Sequence, residues 1–260
     1  MKRLALPGLP PLLACVGLLL LWHVAARLLD ISGLPPPMQA LRELPAILGD
    51  PEALLNILAS VRRMVTGFAL ALCFAVPVGL LMGRVRAIAA FFNPLLMVIY
   101  PVPKAALMPI IMLWLGVGEA SKTLVIFLGV TLPVIYHSYQ GARAVEEKML
   151  WSAAAMGMGW GARLARIVLP AALPEILIGA RTGVVLALIT MVTSEMIARQ
   201  AGVGNILFNA MDMAQYDTVY AMIVIIGVLG FAIDAAFEGL RRRLVAWAAP
   251  VHQIAAVGTA

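Results

Sequence analysis

Apolar runs of about membrane-crossing length recur along this chain, at 9–29, 64–83, 122–142, 176–198 and 218–238, with a sixth, proline-broken stretch at 89–118. An α-helix needs about 20 predominantly apolar residues to span a hydrocarbon core about 30 Å thick, and inside that core every backbone N–H and C=O must be satisfied within the chain. Helices meet both conditions. Composition removes the soluble alternative: 63% of the residues are hydrophobic and 12% are charged, against about 25% charged in soluble domains, and mean hydropathy is +0.98. The fold class expected is all-α, a polytopic membrane protein with six transmembrane helices.

The charges between the runs fix a topology. Lys2 and Arg3 precede the first run, and Arg84 and Arg86 follow the second. Arg143, Lys148, Arg163 and Arg166 lie between the fourth and fifth, and Arg241, Arg242 and Arg243 follow the sixth. Short basic segments stay on the cytoplasmic side, so both termini and the 143–174 loop are expected in the cytoplasm. The formal net charge of +6 then follows from topology and from contact with anionic lipid head groups. The lipid bilayer is an expected partner and nucleic acid is not. The run from Leu9 to Leu29 exceeds the roughly 7 to 15 residues of a signal-peptide core and lacks a convincing cleavage site after it, so it reads as a retained span. Cys15 and Cys73 sit inside apolar runs and read as small buried hydrophobes. His23, His137 and His252 are too scattered to suggest a metal site.

Outside the membrane, residues 30–60 carry Pro35, Pro36, Pro37, Pro45 and Pro51 and read as an external loop with a short surface helix, 53–61 lying at the interface. Residues 116–122 make a short external turn, and 199–217 an external loop with a short helix. Gly202 and Gly204 in that loop are not a nucleotide fingerprint, because no strand precedes them.

Polar residues within the spans are candidates for a translocation path. Pro94, Pro101, Pro103 and Pro109 predict a kinked or broken third span, and irregular backbone at membrane depth is tolerated only where protein buries it or water reaches it. Asn93, Tyr100 and Lys104 are therefore path candidates, although the prolines can equally shape packing and Lys104 can snorkel to the head groups. Thr131 and Tyr136 on the fourth span, and Thr190, Ser194 and Glu195 on the fifth, complete the set. Glu195 has two readings: it lines the path or holds a gate, or it is a structural anchor paired with Arg199 one turn later. Arg181 either favours negative cargo, with Lys104, or is a topology charge. Asp234 and Glu238 can pair with the arginines at 241–243.

The loop at 151–174 is the most specific stretch. Its Ala-rich start favours helix, Gly157, Gly159 and Gly161 allow a tight reversal, and Pro170 and Pro174 are expected to end a second short helix before the fifth span begins. Gly157 is followed after nine residues by Ile167-Val168-Leu169-Pro170. This resembles the Glu-Ala-Ala loop of permease subunits of ABC importers, with strict matches at Ala153, Gly157, Ile167, Leu169 and Pro170. The pattern's glutamate falls on Trp151, and its two alanines on Ser152 and Ala153.

The resemblance covers about 57–243 and implies a type I importer permease fold with the coupling loop between helices 4 and 5. It implies a first helix and external segment over 1–56, the transmembrane domain over 57–243 and a cytoplasmic tail over 244–260. It also implies a bacterial inner or plasma membrane location, a second permease copy forming a homodimer, two cytoplasmic ABC ATPase subunits and an extracytoplasmic substrate-binding protein. Residues 100–122, 169–183 and 193–198 are similar to the nitrate, sulfonate and taurine permeases. No cofactor is implied. The sequence lacks G-x-x-x-x-G-K-[ST], a nucleophile elbow and a zinc pattern, so the chain is not expected to be an enzyme, ATP hydrolysis belonging to another subunit. A secondary transporter or a membrane scaffold holding a cytoplasmic partner is the alternative; an intramembrane enzyme lacks a clustered catalytic set.

Overall fold

The structure, a computed structural model, describes residues 9–247. Its centre is a bundle of three long helices, α3 (Pro51–Arg84), α6 (Glu119–Ala144) and α9 (Leu169–Ala198). Small residues let their backbones approach closely, the device by which helices associate where lipid removes any hydrophobic drive. A methyl group added at Gly67 of α3 would lie 2.7 Å from Ile126 Cγ2 of α6, and one at Gly183 of α9 2.9 Å from Val130 of α6. Ala71, Ala75, Val130, Val134, Ala187 and Met191 fill the seam and are fully buried.

The remaining elements wrap this bundle. α1 (Leu9–Leu29) precedes the short α2 (Pro37–Gly49). Most of α1 faces outward, and Trp22 fastens its end by donating to the Pro35 carbonyl at 3.0 Å and stacking on Tyr220. α4 (Arg86–Ile99) and α5 (Met108–Leu115), joined through a 3₁₀ turn at Lys104–Leu107, form a broken span bent by 85°. The prolines at 101 and 103 deny the backbone its helical bonds there, as the sequence predicts. Beyond α6 come α7 (Glu147–Ala155), α8 (Trp160–Arg163), a π-helical turn (Leu164–Val168) and α9, then α10 (Val203–Asp212) and α11 (Tyr216–Leu244).

α3, α6, the continuous stretch Trp160–Ala198 and α11 are each long and apolar enough to cross a membrane, and the bent pair makes a fifth if counted as one span. α1, over Leu13–Leu29, is apolar but shorter. The described residues thus give four or five spans by length where six are expected from the sequence. The basic residues at 2–3 and the end of the tail lie outside the described residues.

Three expectations are corrected. The helix that carries the second span begins well before residue 64, at Pro51, and 53–61 is its first part rather than a separate surface helix. Asp50 caps it by accepting from the Glu52 N–H at 3.0 Å, and Pro51 stands in the first turn, where no N–H is needed. Pro170 and Pro174 do not separate a loop helix from the fifth span. The π turn shifts the backbone register just before Pro170, with the Leu169 N–H donating to Leu164 five residues back, so the chain passes a residue without an N–H and stays helical. Cys15 and Cys73 are exposed, not buried, because in a membrane protein an apolar run also faces outward.

α7 and α8 lie at one end of α9 and α10 at the other, a separation of about 45 Å for 30 residues. Cysteines replacing Trp160 and Met211 should accordingly react with impermeant thiol reagents from opposite membrane faces. Labelling of both from one face would refute this topology.

Candidate functional site

The 147–170 region is a helix, a reversal and a helix. α7 ends in a Schellman motif: Gly157 takes φ +84, its N–H reaches the Ala154 carbonyl at 2.9 Å, and the Met158 N–H reaches Ala153 at 3.0 Å. A left-handed residue at that position is the ordinary place for glycine. Nothing lies within 4 Å of a methyl group added at Gly157, Gly159 or Gly161. Within the protomer, then, only Gly157 is required by conformation, and all three face open space.

The loop is held firmly from beneath. Leu150, Ala153 and Val168 are buried, and Leu150 and Val168 join Leu80, Ala142 and Ile176 in a small apolar core. Arg84, at the end of α3, donates to the carbonyls of Ala142 and Val145 at 3.4 Å and pairs with Glu147 at 3.5 Å. Of the positions matching the loop pattern, Ala153 is thus structural, Ile167 and Leu169 are half-buried and Pro170 is exposed. Trp151, Met156 and Trp160 stand exposed around Gly157.

At the opposite end lies a buried charge network that the sequence did not disclose. Arg63 of α3 and Glu195 of α9, both with fully buried side chains, form an ion pair, and Arg63 also binds Glu119 at the start of α6. Ser60 lies 2.7 Å from Glu195 Oε1 and accepts the Val203 N–H at 2.9 Å. The Gly204 N–H donates to Glu195 Oε2 at 2.9 Å, and the Gly202 N–H to Asn56 Oδ1 at 2.6 Å. Lys122, buried on α6, reaches the Ala201 carbonyl at 2.9 Å. The first N–H groups of α10, with its favourable dipole end, therefore receive a carboxylate. Gly202, at φ +134, has space for no side chain beside that carboxylate.

Glu195 is therefore an anchor, but its partner is Arg63. α9 ends at Ala198 and Arg199 turns left-handed, φ +51, which swings its side chain away to pair with Asp212 and to lie 4.5 Å from the Phe208 ring. Two other pairs cross the bundle. His137 Nδ1 meets Glu175 Oε1 at 2.8 Å, and Arg181 holds Asp234 through two bonds of 2.9 and 2.8 Å. Glu238 pairs with Arg241 and Arg242 as expected; Asp234 does not, because Arg181 of the neighbouring helix is nearer.

The path candidates divide. Thr131, Thr190 and Ser194 are buried, like Glu195, and donate to the carbonyls of Phe127, Leu186 and Met191 of their own helices at 2.6, 2.7 and 2.8 Å. The exposed stripe of α9 is instead Thr182, Val185, Ile189 and Ile197, with the half-buried Thr193 between the last two, at helical spacing. Tyr100 and Tyr136 are exposed, Asn93 is half-buried, and Lys104 caps the broken span by donating to Ile99 and Val102 at 2.6 Å. Between that break and the end of α9 runs a groove of about 450 Å³ lined by Ala105, Ala106, Thr193, Met196, Ile197, Arg199 and Phe208.

Residues 75–246 match the family described as the binding-protein-dependent transport system inner membrane component. The chain belongs to this family, the permease subunits of ABC importers. It is 33% identical to the taurine transport system permease protein TauC of Escherichia coli K12, over 88% of this chain and 86% of that one. It is 30% identical to the putative aliphatic sulfonates transport permease protein SsuC of Bacillus subtilis 168, over 95% and 87%. It is 26% identical to the nitrate import permease protein NrtB of Synechocystis, over 86% and 84%. In three dimensions it is similar to a chain of the MetNI methionine ABC transporter in an inward-facing form, with a TM-score of 0.63 at 15% identity, covering 74% of this chain and 95% of that one. That likeness establishes the permease fold. An ABC importer permease is a transport component spanning the membrane several times, and the network and the loop stand at its two ends.

Removing one member of a buried ion pair costs about 3 to 5 kcal/mol, whereas replacing both by apolar groups is often neutral. Arg63→Met and Glu195→Leu should each lower the unfolding temperature of the purified permease markedly, and the double variant should recover most of the loss. Additive losses in the double variant would show that the two charges do not act as a pair.

Proposed function

We propose that two copies of this permease form the path for a compact anion of the sulfonate, taurine or nitrate class, handed over by an extracytoplasmic binding protein and driven by two cytoplasmic ABC ATPases docked on residues 147–170. Both termini then lie in the cytoplasm, residues 1–56 supply the first helix and external segment, 57–243 the transmembrane domain and 244–260 the tail. The observation that carries the reading is the loop's construction. It is fixed to the bundle by Leu150, Ala153 and Arg84, and it presents Gly157, Trp151, Met156 and Trp160 outward.

Docking alone would move nothing without a stiff connection. Helix is unbroken from Trp160 to Ala198, 39 residues, about 58 Å of lever at 1.5 Å per residue. A push delivered at α8 reaches the outer end of α9, where Glu195 ties it to α3, α6 and α10. Alternating access follows: closure of the ATPases moves the two loops, the bundles reorient, and the cavity opens toward the other face. Cargo class is supported by the relatives named for taurine, aliphatic sulfonates and nitrate. Trp151, where the loop pattern carries glutamate, gives the docking face an apolar contact in place of a charged one.

Affinity purification of the tagged permease in mild detergent should recover an ABC ATPase at one copy per permease. Gly157→Asp should leave the chain in the membrane yet abolish substrate-stimulated ATP turnover, because the left-handed cap is strained and a charge enters the docking face. Normal stimulated turnover in that variant would remove the docking assignment.

A further inference from the structure

We propose that the groove between the bent pair and the outer end of α9 is a cargo subsite of the permease for an organic anion with an apolar body. Arg199 takes the anionic head, and Ala105, Ala106, Met196, Ile197 and Phe208 enclose the body. The inference rests on the proposed function and adds a place for the cargo on this chain.

The groove's size and chemistry both fit. Its volume of about 450 Å³ falls within the roughly 300 to 1,000 Å³ of small-molecule sites, which are mostly apolar with few polar groups that fix orientation. Its walls come from both sides of a joint. Ala105 and Ala106 belong to the 3₁₀ turn at the break of the bent pair, while Thr193, Met196 and Ile197 lie on α9 and Phe208 on α10. α9 and α10 are bound together by the Glu195 network, so the scaffold wall is fixed.

Arg199 is placed rather than loose. Its left-handed backbone, φ +51, is uncommon for a residue other than glycine, and its guanidinium lies 4.5 Å from the Phe208 ring centroid while one nitrogen, Nη2, engages Asp212. A guanidinium carries five N–H donors in a planar fork that matches the paired oxygens of a carboxylate or phosphate, and a sulfonate presents such oxygens too. Donors therefore remain for a second anion. Thr193 does not compete for the role, because its hydroxyl donates to the Ile189 carbonyl at 2.8 Å.

The lining also ranks cargo. Apart from Arg199 and Thr193 the lining is apolar, so an alkanesulfonate with a longer body fits better than a shorter one, and nitrate has no body for the apolar wall. Each methylene buried should strengthen binding about fourfold.

The test uses the complex of permease and ATPase in nanodiscs, with Ile197→Cys introduced after Cys15→Ala and Cys73→Ala. A water-soluble thiosulfonate reagent labels the new thiol, and butanesulfonate is the protecting probe. Butanesulfonate should slow labelling at least fivefold, ethanesulfonate less and nitrate not at all. Arg199→Gln should abolish the protection and Arg199→Lys restore part of it, at unchanged thermal stability. Labelling indifferent to butanesulfonate, protection that survives Arg199→Gln, or a thiol that the reagent never reaches because lipid or a second copy covers it, would each overturn the subsite. Uptake of butanesulfonate by the complete importer, measured in parallel, separates the two levels. With taurine and nitrate uptake measured beside it, uptake without protection overturns the subsite alone, whereas absence of protection and of all three uptakes overturns the cargo class as well.

Discussion

A charged group inside a membrane bundle is stable only if its partners come with it, and that constraint organises the end of this permease where α10 packs. Arg63 and Glu195 are both fully buried. Each would be expensive alone in a low-dielectric surround, so α3 and α9 must meet wherever the chain folds. Glu119 and Lys122 bring in α6, and the N–H groups of residues 202–204 bring in α10. Within the bundle Arg63 and Lys122 stand against Glu119 and Glu195, and the exposed Arg62 lies 3.8 Å from Glu119 at the edge. The pairing specifies one register among helices whose apolar seams, built from glycine and alanine, would tolerate several.

That register matters because the other end of the same helices carries the loop. Small residues at Gly67, Gly79, Gly129 and Gly183 bring the three backbones close enough to move together, and side chains of that size leave little to compress. On the proposed docking, a force applied at α8 would be carried along α9 rather than absorbed. The π turn at Leu164–Val168 is the one irregularity on that line, and it lies at the loop end, below the packed seam. Its effect is to carry helix past Pro170.

Much of this was legible in the sequence. Apolar runs gave the helices, prolines at 101 and 103 gave the broken span, and the spacing from Gly157 to Pro170 gave the loop and the family. What escaped was relational. Arg63 stands near the outer end of an apolar run, where its charge reads as an interfacial residue, and nothing local says that its partner is 132 residues away. The one clue was Glu195 in an apolar run followed by Gly202 and Gly204, since a buried carboxylate needs donors and close-lying glycine N–H groups provide them. The error at Pro170 was of another kind. Proline ends a regular α-helix, but here the backbone changes register just before it.

The path residues show how far period alone can go. Thr190 and Thr193 are three positions apart on one helix; Thr190 packs against Gly129 while Thr193 lines a groove. Sequence identifies both as hydroxyls in an apolar run, but which face turns inward is set by Glu195, whose ion pair fixes the rotation of α9 about its own axis. Residues in phase with Glu195, among them Met191 and Ala198, are thereby committed to the scaffold, and those at 185, 189, 193 and 197 are left open. The same helix thus separates two duties by angle. Substitutions on that exposed stripe leave untouched the charges that hold the bundle, so the two faces of one helix can vary independently.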